Sequence, residues 1–120
     1  MSSPVAFVTE AGVNRPLRVL HILDHSIPLH SGYTFRTLAI LREQRSLGWE
    51  TLHVTTPKHR LGSDDEEHVD GWHFYRTRLS SNFVERLPAP REMRLMRAIE
   101  RRLAEVAARS QPDVLHAHSP

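Results

Sequence analysis

Four short apolar runs punctuate the chain, and two longer segments with a helical period lie between them. Arg18-Val-Leu-His-Ile-Leu-Asp24 is nearly all apolar, as expected of a strand buried on both faces beneath helices. Glu50-Thr-Leu-His-Val-Thr-Thr56 reads as a second strand ended by Pro57, and Trp72-His-Phe-Tyr-Arg-Thr77 as a third, entered through Asp70-Gly71. Asp113 to His118 reads as a fourth, entered after Pro112. Between the first two strands, Gly32 to Leu47 predicts a well-buried helix, with Ser31 as N-cap and Gly48 as the C-terminal stop. Arg91 to Arg109 predicts an amphipathic helix, because Leu95, Met96, Ile99, Leu103 and Val106 form one stripe of a 3.6-residue period. Lys58 to Val69, with its acidic run Asp64-Asp-Glu-Glu67, reads as a solvated loop, and Leu79 to Pro90 as another. Residues 1–16 read as a flexible leader in which Gly12, Asn14 and Pro16 break any element.

Strand, helix, strand, strand, helix, strand predicts an α/β fold with a Rossmann-like parallel sheet over residues 17–120. At 120 residues, 39% hydrophobic and 25% charged, the chain is at most one globular domain. A formal charge of +2 does not supply the basic stripe that nucleic acid requires, so no nucleic-acid partner is expected. The chain has no cysteine, which excludes a disulfide framework and thiolate chemistry. The N-terminus lacks a secretory pattern, and no run approaches the roughly 18 apolar residues of a membrane span.

Two places concentrate candidate chemistry. The loop from Asp24 to Thr34 joins a strand's carboxyl end to a helix start. Gly32 there permits close approach of a ligand to the backbone, and free N–H groups at a helix start favour an anion. Gly32 equally well serves a tight turn. The loop has neither the G-x-G-x-x-G fingerprint nor a Walker G-K-[ST]. The second place is His116-Ala-His118. Alternate strand residues share a face, which puts His116 deeper, as a core histidine bonded to backbone, and His118 at the mouth. As metal ligands the pair lacks a third and fourth partner, so no metal site is expected. His21 and His53, inside strands, read as satisfied core residues, and His59 and His68 as solvent-exposed. The arginines of the last helix (Arg91, Arg94, Arg97, Arg101, Arg102 and Arg109) are interleaved with Glu92, Glu100 and Glu105 and read as a solvated face. Weak peripheral contact with an anionic membrane is the lesser alternative.

The runs RVLHILDHSIPLHSGYTFRTLAILREQRSLGWETLHVTTPKH, EEHVDGWHFYRT and PDVLHAHSP resemble the N-terminal domain of GT-B glycosyltransferases of the family 4 type. Within these the chain is similar to the glycosyltransferases associated with exosortase and PEP-CTERM systems of Gram-negative bacteria, linked to exopolysaccharide synthesis. The resemblance covers Leu17 to Pro120 and rests most on DHSIPLHSGYTFR. It implies the N-terminal, mainly acceptor-side half of a two-domain GT-B fold, truncated here, whose missing C-terminal Rossmann-like domain holds most of a nucleotide-sugar. It implies transfer with retention to a glycan or lipid-linked acceptor, with no cofactor and no catalytic metal, on the cytoplasmic side or peripherally at the inner membrane. The family's cleft histidine, which positions the donor sugar, maps onto His118. Its glycine-rich turn maps onto Ser31-Gly32, where Ser31 departs from the usual Gly-Gly. Ser31, Gly32, Tyr33 and His116 are the implied substrate-binding residues, and the chain alone is expected to be inactive.

Two other classes compete. A non-catalytic flavodoxin-like binding or regulatory module would use Asp24 at the first strand's end, but no lysine stands at a late strand end to complete a receiver site. An NAD-dependent enzyme would need the glycine fingerprint and an acidic residue where Thr55-Thr56-Pro57 stand.

Overall fold

A computed structural model describes residues 6–8, 14–59, 64–78 and 90–119. In chain order the elements are β1 (Ala6–Val8), β2 (Asn14–Pro16), β3 (Arg18–Leu23), α1 (Gly32–Ser46), β4 (Glu50–Thr55), β5 (Glu66–Val69), β6 (Trp72–Arg76), α2 (Arg91–Ser110) and β7 (Val114–Ala117). The main sheet runs β5-β6-β4-β3-β7. Strands β6, β4, β3 and β7 are parallel, and β5 is antiparallel on the edge. The expected α/β, Rossmann-like parallel sheet is therefore present. The chain moves outward from β3 through α1 to β4, and later returns through α2 to β7 on the other side of β3. The carboxyl ends of β3 and β7 thus flank a topological switch point, where open α/β sheets bind ligands.

The two helices cover opposite faces of the sheet. Strand alternation sends Leu20, Ile22, Leu52, Val54 and Tyr75 to one face, where they pack against Ile99, Leu103, Val106 and Ala107 of α2. The other face carries Leu23, Trp72 and Phe74 against Leu38 and Leu41 of α1. The helix ends follow their sequence signals. The Ser31 side chain accepts the Thr34 N–H at 3.1 Å, and Gly48 takes φ 85° beyond the last turn of α1. Gln111 ends α2 in the left-handed region, its N–H reaching the Ala107 carbonyl at 2.9 Å.

Three expectations fail. The acidic run is not all loop: Glu66 and Glu67 begin β5, and Asp70 and Gly71, both at positive φ, form the tight turn that folds it onto β6. Glu67 pairs with Arg76 (2.5 Å) and Glu66 with His73 (3.0 Å), so cross-strand partners compensate for weak strand propensity. The leader, expected to hold no element, contains an antiparallel pairing of β1 with β2. Arg15 of β2 forms a two-pronged ion pair with Asp113 at the entrance to β7. Third, α1 is less apolar in its contacts than its composition implies. Its buried residues are Thr34, Thr37, Leu38 and Leu41, while Phe35 stands 57% exposed. The predicted loop Leu79 to Pro90 lies, apart from Pro90, outside the described residues. No described helix is long and apolar enough to cross a membrane.

Candidate functional site

Parallel pairing sets His21 of β3 beside His116 of β7, and His118 follows two residues later on the same face. His118 continues the ladder, donating its N–H to the Ile22 carbonyl at 3.0 Å. Arg36 of α1 donates to the Ser119 carbonyl at 2.7 Å, which ties the end of β7 to the early turns of α1. His21 is fully buried, whereas His116 and His118 are half-buried.

The hydrogen-bond chain defines the tautomers. Gln44 Oε1 can only accept, so His21 Nε2 donates to it at 2.7 Å and His21 Nδ1 is left as an acceptor. The 2.8 Å contact between His21 Nδ1 and His118 Nε2 is then a bond donated by His118. That leaves His118 Nδ1 as the ring's remaining acceptor. Burial lowers the pKa of His118 to about 4, helped by His116, His21 and Arg36 nearby. Burial likewise takes His21 to about 4, opposed by the Gln44 bond. Both rings are neutral near pH 7. His116 is not the backbone-bonded core residue expected: it is half-buried, and its ring lies 4.1 Å from that of His118, stacked against it.

The loop after β3 is braced from several elements. Tyr33 Oη accepts the Asp24 N–H at 2.8 Å. His25 Nε2 bonds the Ser31 hydroxyl at 2.8 Å, and Ser31 in turn donates to Thr34 Oγ1 at 3.1 Å. Ser31 is thus engaged as a cap, Tyr33 as a loop brace, and Gly32 alone of the three is exposed. A methyl group added at Gly32 would meet nothing within 4 Å, so the space above it is open. No acidic residue occupies the first turn of α1, so its N–H groups are not offset by a local negative charge. Beneath the loop, Arg76, 4% exposed, donates to Ser26 Oγ (2.6 Å) and to the Ile27 carbonyl (3.1 Å).

Several of these groups escaped the sequence reading. His59 is not exposed: it is 6% exposed, and its Nδ1 accepts the Ser26 N–H at 3.3 Å. His68 is exposed, as expected. Lys58 Nζ lies 3.3 Å from Asp24 Oδ1, and both residues line a cleft of about 160 Å³ together with Leu95, Met96 and Ile99. The available signal was position. Lys58 is the only lysine, and it follows Pro57 directly at the carboxyl end of the second strand.

The site is thus the hydrogen-bonded pair of His21 and His118 at the β3–β7 edge and a helix N-terminus after β3. Such an arrangement can hydrogen-bond hydroxyls and receive an anion. No curated protein matches the chain, and no solved structure matches it. A family model, the glycosyl transferase 4-like domain, matches residues 31–120. That match spans three quarters of the chain and includes α1, His116 of β7, His118 just past it and every strand between, so the chain belongs to the glycosyl transferase 4-like domain family.

Proposed function

We propose that this glycosyltransferase domain is the mainly acceptor-side half of a retaining, nucleotide-sugar-dependent transferase. In this reading a second Rossmann-like domain supplies most of the donor site, and the product is an exopolysaccharide or envelope polysaccharide, made on the cytoplasmic side or peripherally at the inner membrane. The resemblance to exosortase-associated and PEP-CTERM-associated transferases supports the polymer assignment. The observation that carries the mechanism is the bond between His118 and His21 at the switch point. It orients the His118 ring and leaves Nδ1 to accept a hydrogen bond from a sugar hydroxyl. The N-terminus of α1, with no acidic side chain in its first turn, offers N–H groups to the departing phosphate, and Gly32 keeps that approach open. Catalysis then rests on positioning and on stabilising charge at the leaving group. The cleft lined by Asp24 and Lys58 and by Leu95, Met96 and Ile99 joins charged and apolar walls, which suits an acceptor carrying a lipid portion.

The test is nucleoside diphosphate release from a panel of nucleotide-sugars with glycan and lipid-linked acceptors, with the product's anomeric configuration read by NMR. The protein carrying its C-terminal domain should turn over with retention, and the chain alone should not. Inversion, or turnover by the chain alone, contradicts the proposal.

A further inference from the structure

We propose that His21, His116 and His118 together bind one divalent transition-metal ion of the zinc type, and that the ion competes for His118 with the sugar contact proposed above. The sequence shows only a histidine pair two residues apart. Strand pairing supplies the third member, because His21 is the register partner of His116. One ring nitrogen from each of the three lies within 4.8 Å of the others. Three imidazoles with no carboxylate select zinc, nickel, cobalt or copper over calcium or magnesium, which require oxygen ligands.

The surroundings are those of an oriented ligand set. Gln44 Oε1 holds the Nε2–H of His21 at 2.7 Å and so aims Nδ1 at the other two rings. Outer partners of this kind fix ring orientation and tautomer in metal sites. At present His21 Nδ1 and His118 Nε2 share a proton across 2.8 Å. On a tetrahedral ion with bonds of about 2.0–2.1 Å, two ligand nitrogens sit about 3.3 Å apart, so the pair must open by about 0.5 Å. His118 lies just past the end of β7, which pairs only with β3 among the described strands, so this opening disturbs one strand pairing. The Nε2 proton of His118 moves to its Nδ1 as the ion takes its place, and the ring stays neutral. Three protein ligands leave the fourth position to solvent or a small anion. Arg36, close enough to influence His118, adds positive charge, so the ion is held less tightly than in a closed structural zinc site.

The experiment titrates Co²⁺ into the untagged, chelator-stripped protein, reads the visible bands of tetrahedral cobalt, and then displaces it with Zn²⁺. One equivalent should bind and be displaced. His116→Ala should weaken binding by about 100-fold or more, and Gln44→Leu by about tenfold through loss of the outer partner. His30→Ala and His68→Ala, both at exposed positions, should bind as the parent does. Circular dichroism of each metal-free variant separates loss of a ligand from loss of the fold. Where His116→Ala is perturbed, His116→Gln and His118→Gln carry the comparison. Absence of one-equivalent uptake by the parent overturns the proposal, as does unchanged uptake by a folded variant lacking both His116 and His118.

Discussion

Against α2 the sheet presents Leu20, Ile22, Leu52, Val54 and Tyr75, whereas against α1 it presents His21, Thr51, His53 and Thr55 beside Leu23 and Phe74. Each face is covered by a helix, yet the two hold together differently. The α2 face relies on apolar area and close packing, which tolerate approximate fit. The α1 face must also satisfy its polar groups. Arg45 Nε donates to Thr51 Oγ1 (2.9 Å), Thr51 donates to His53 Nε2 (2.9 Å), and His53 Nδ1 donates to the His73 carbonyl (2.8 Å). Each member is committed in one direction. The same face ends in His118, which is held by a second hydrogen-bonded chain running from Gln44 through His21. A buried polar network is costly when broken, and here it supplies an oriented ring at the cleft.

Breaking each face separately should expose the difference. Leu20→Ala, at a fully buried position on the α2 face, should lower stability by about 2–5 kcal/mol, measured by denaturant unfolding, with activity per folded molecule of the complete enzyme unchanged. Acid should act on the other side. Burial lowers the pKa of His21 and His118 to about 4, of His53 to about 3 and of the loop residue His59 to about 4, from an ordinary value of 6.5. Between 6.5 and about 4 the unfolded chain binds protons that the folded chain refuses, so stability falls as pH drops through that window. The limiting slope is about 1.4 kcal/mol per pH unit for each such proton. Melting temperature across that range should fall steadily, and amide exchange should rise in α1 before α2. A flat profile contradicts the assignment of neutral buried rings.

A finer cut is Thr51→Val, which keeps the shape but removes the hydroxyl that links Arg45 to His53. It should cost about 1–3 kcal/mol, because both neighbours lose a partner. The smallest structural effect belongs to Gly32→Ala. Open space surrounds the added methyl and φ is not positive, so the melting temperature should stay within about 0.5 kcal/mol equivalent of the parent. If a ligand passes over Gly32, transfer activity should fall all the same.

Much of this architecture was legible because local signals agreed with the tertiary outcome. Continuous apolar runs marked β3 and β4, Ser31 and Gly48 bounded α1, and the stripe from Leu95 to Val106 marked α2. Strand β5 was hidden because its four residues, Glu-Glu-His-Val, gain their stability across the ladder from Arg76 and His73. The pairing of β1 with β2 was hidden for a similar reason: Asn14 and Pro16 are poor strand residues, and Arg15 is anchored to Asp113, far along the chain. At the site, alternation placed His116 and His118 on one side. Strand order, which no local pattern encodes, decided that His21 would stand next to them rather than remain an isolated core histidine. His59 was misjudged because its polar neighbours in sequence conceal the Ser26 backbone that it meets in space.

The central claim is that the polar face ends in a ring positioned for a sugar, and His118 and His116 test it in the complete enzyme. The two rings are stacked and similarly half-buried, but only His118 is held by His21. His118→Ala should lower kcat and kcat/KM together by on the order of 10² to 10³, as expected for loss of a contact that strengthens in the transition state. His116→Ala should act mainly through stability. Kinetic constants measured beside melting temperatures for both variants decide the matter. A folded His118→Ala enzyme with near parental kcat, or one that fails only by unfolding, would contradict the account.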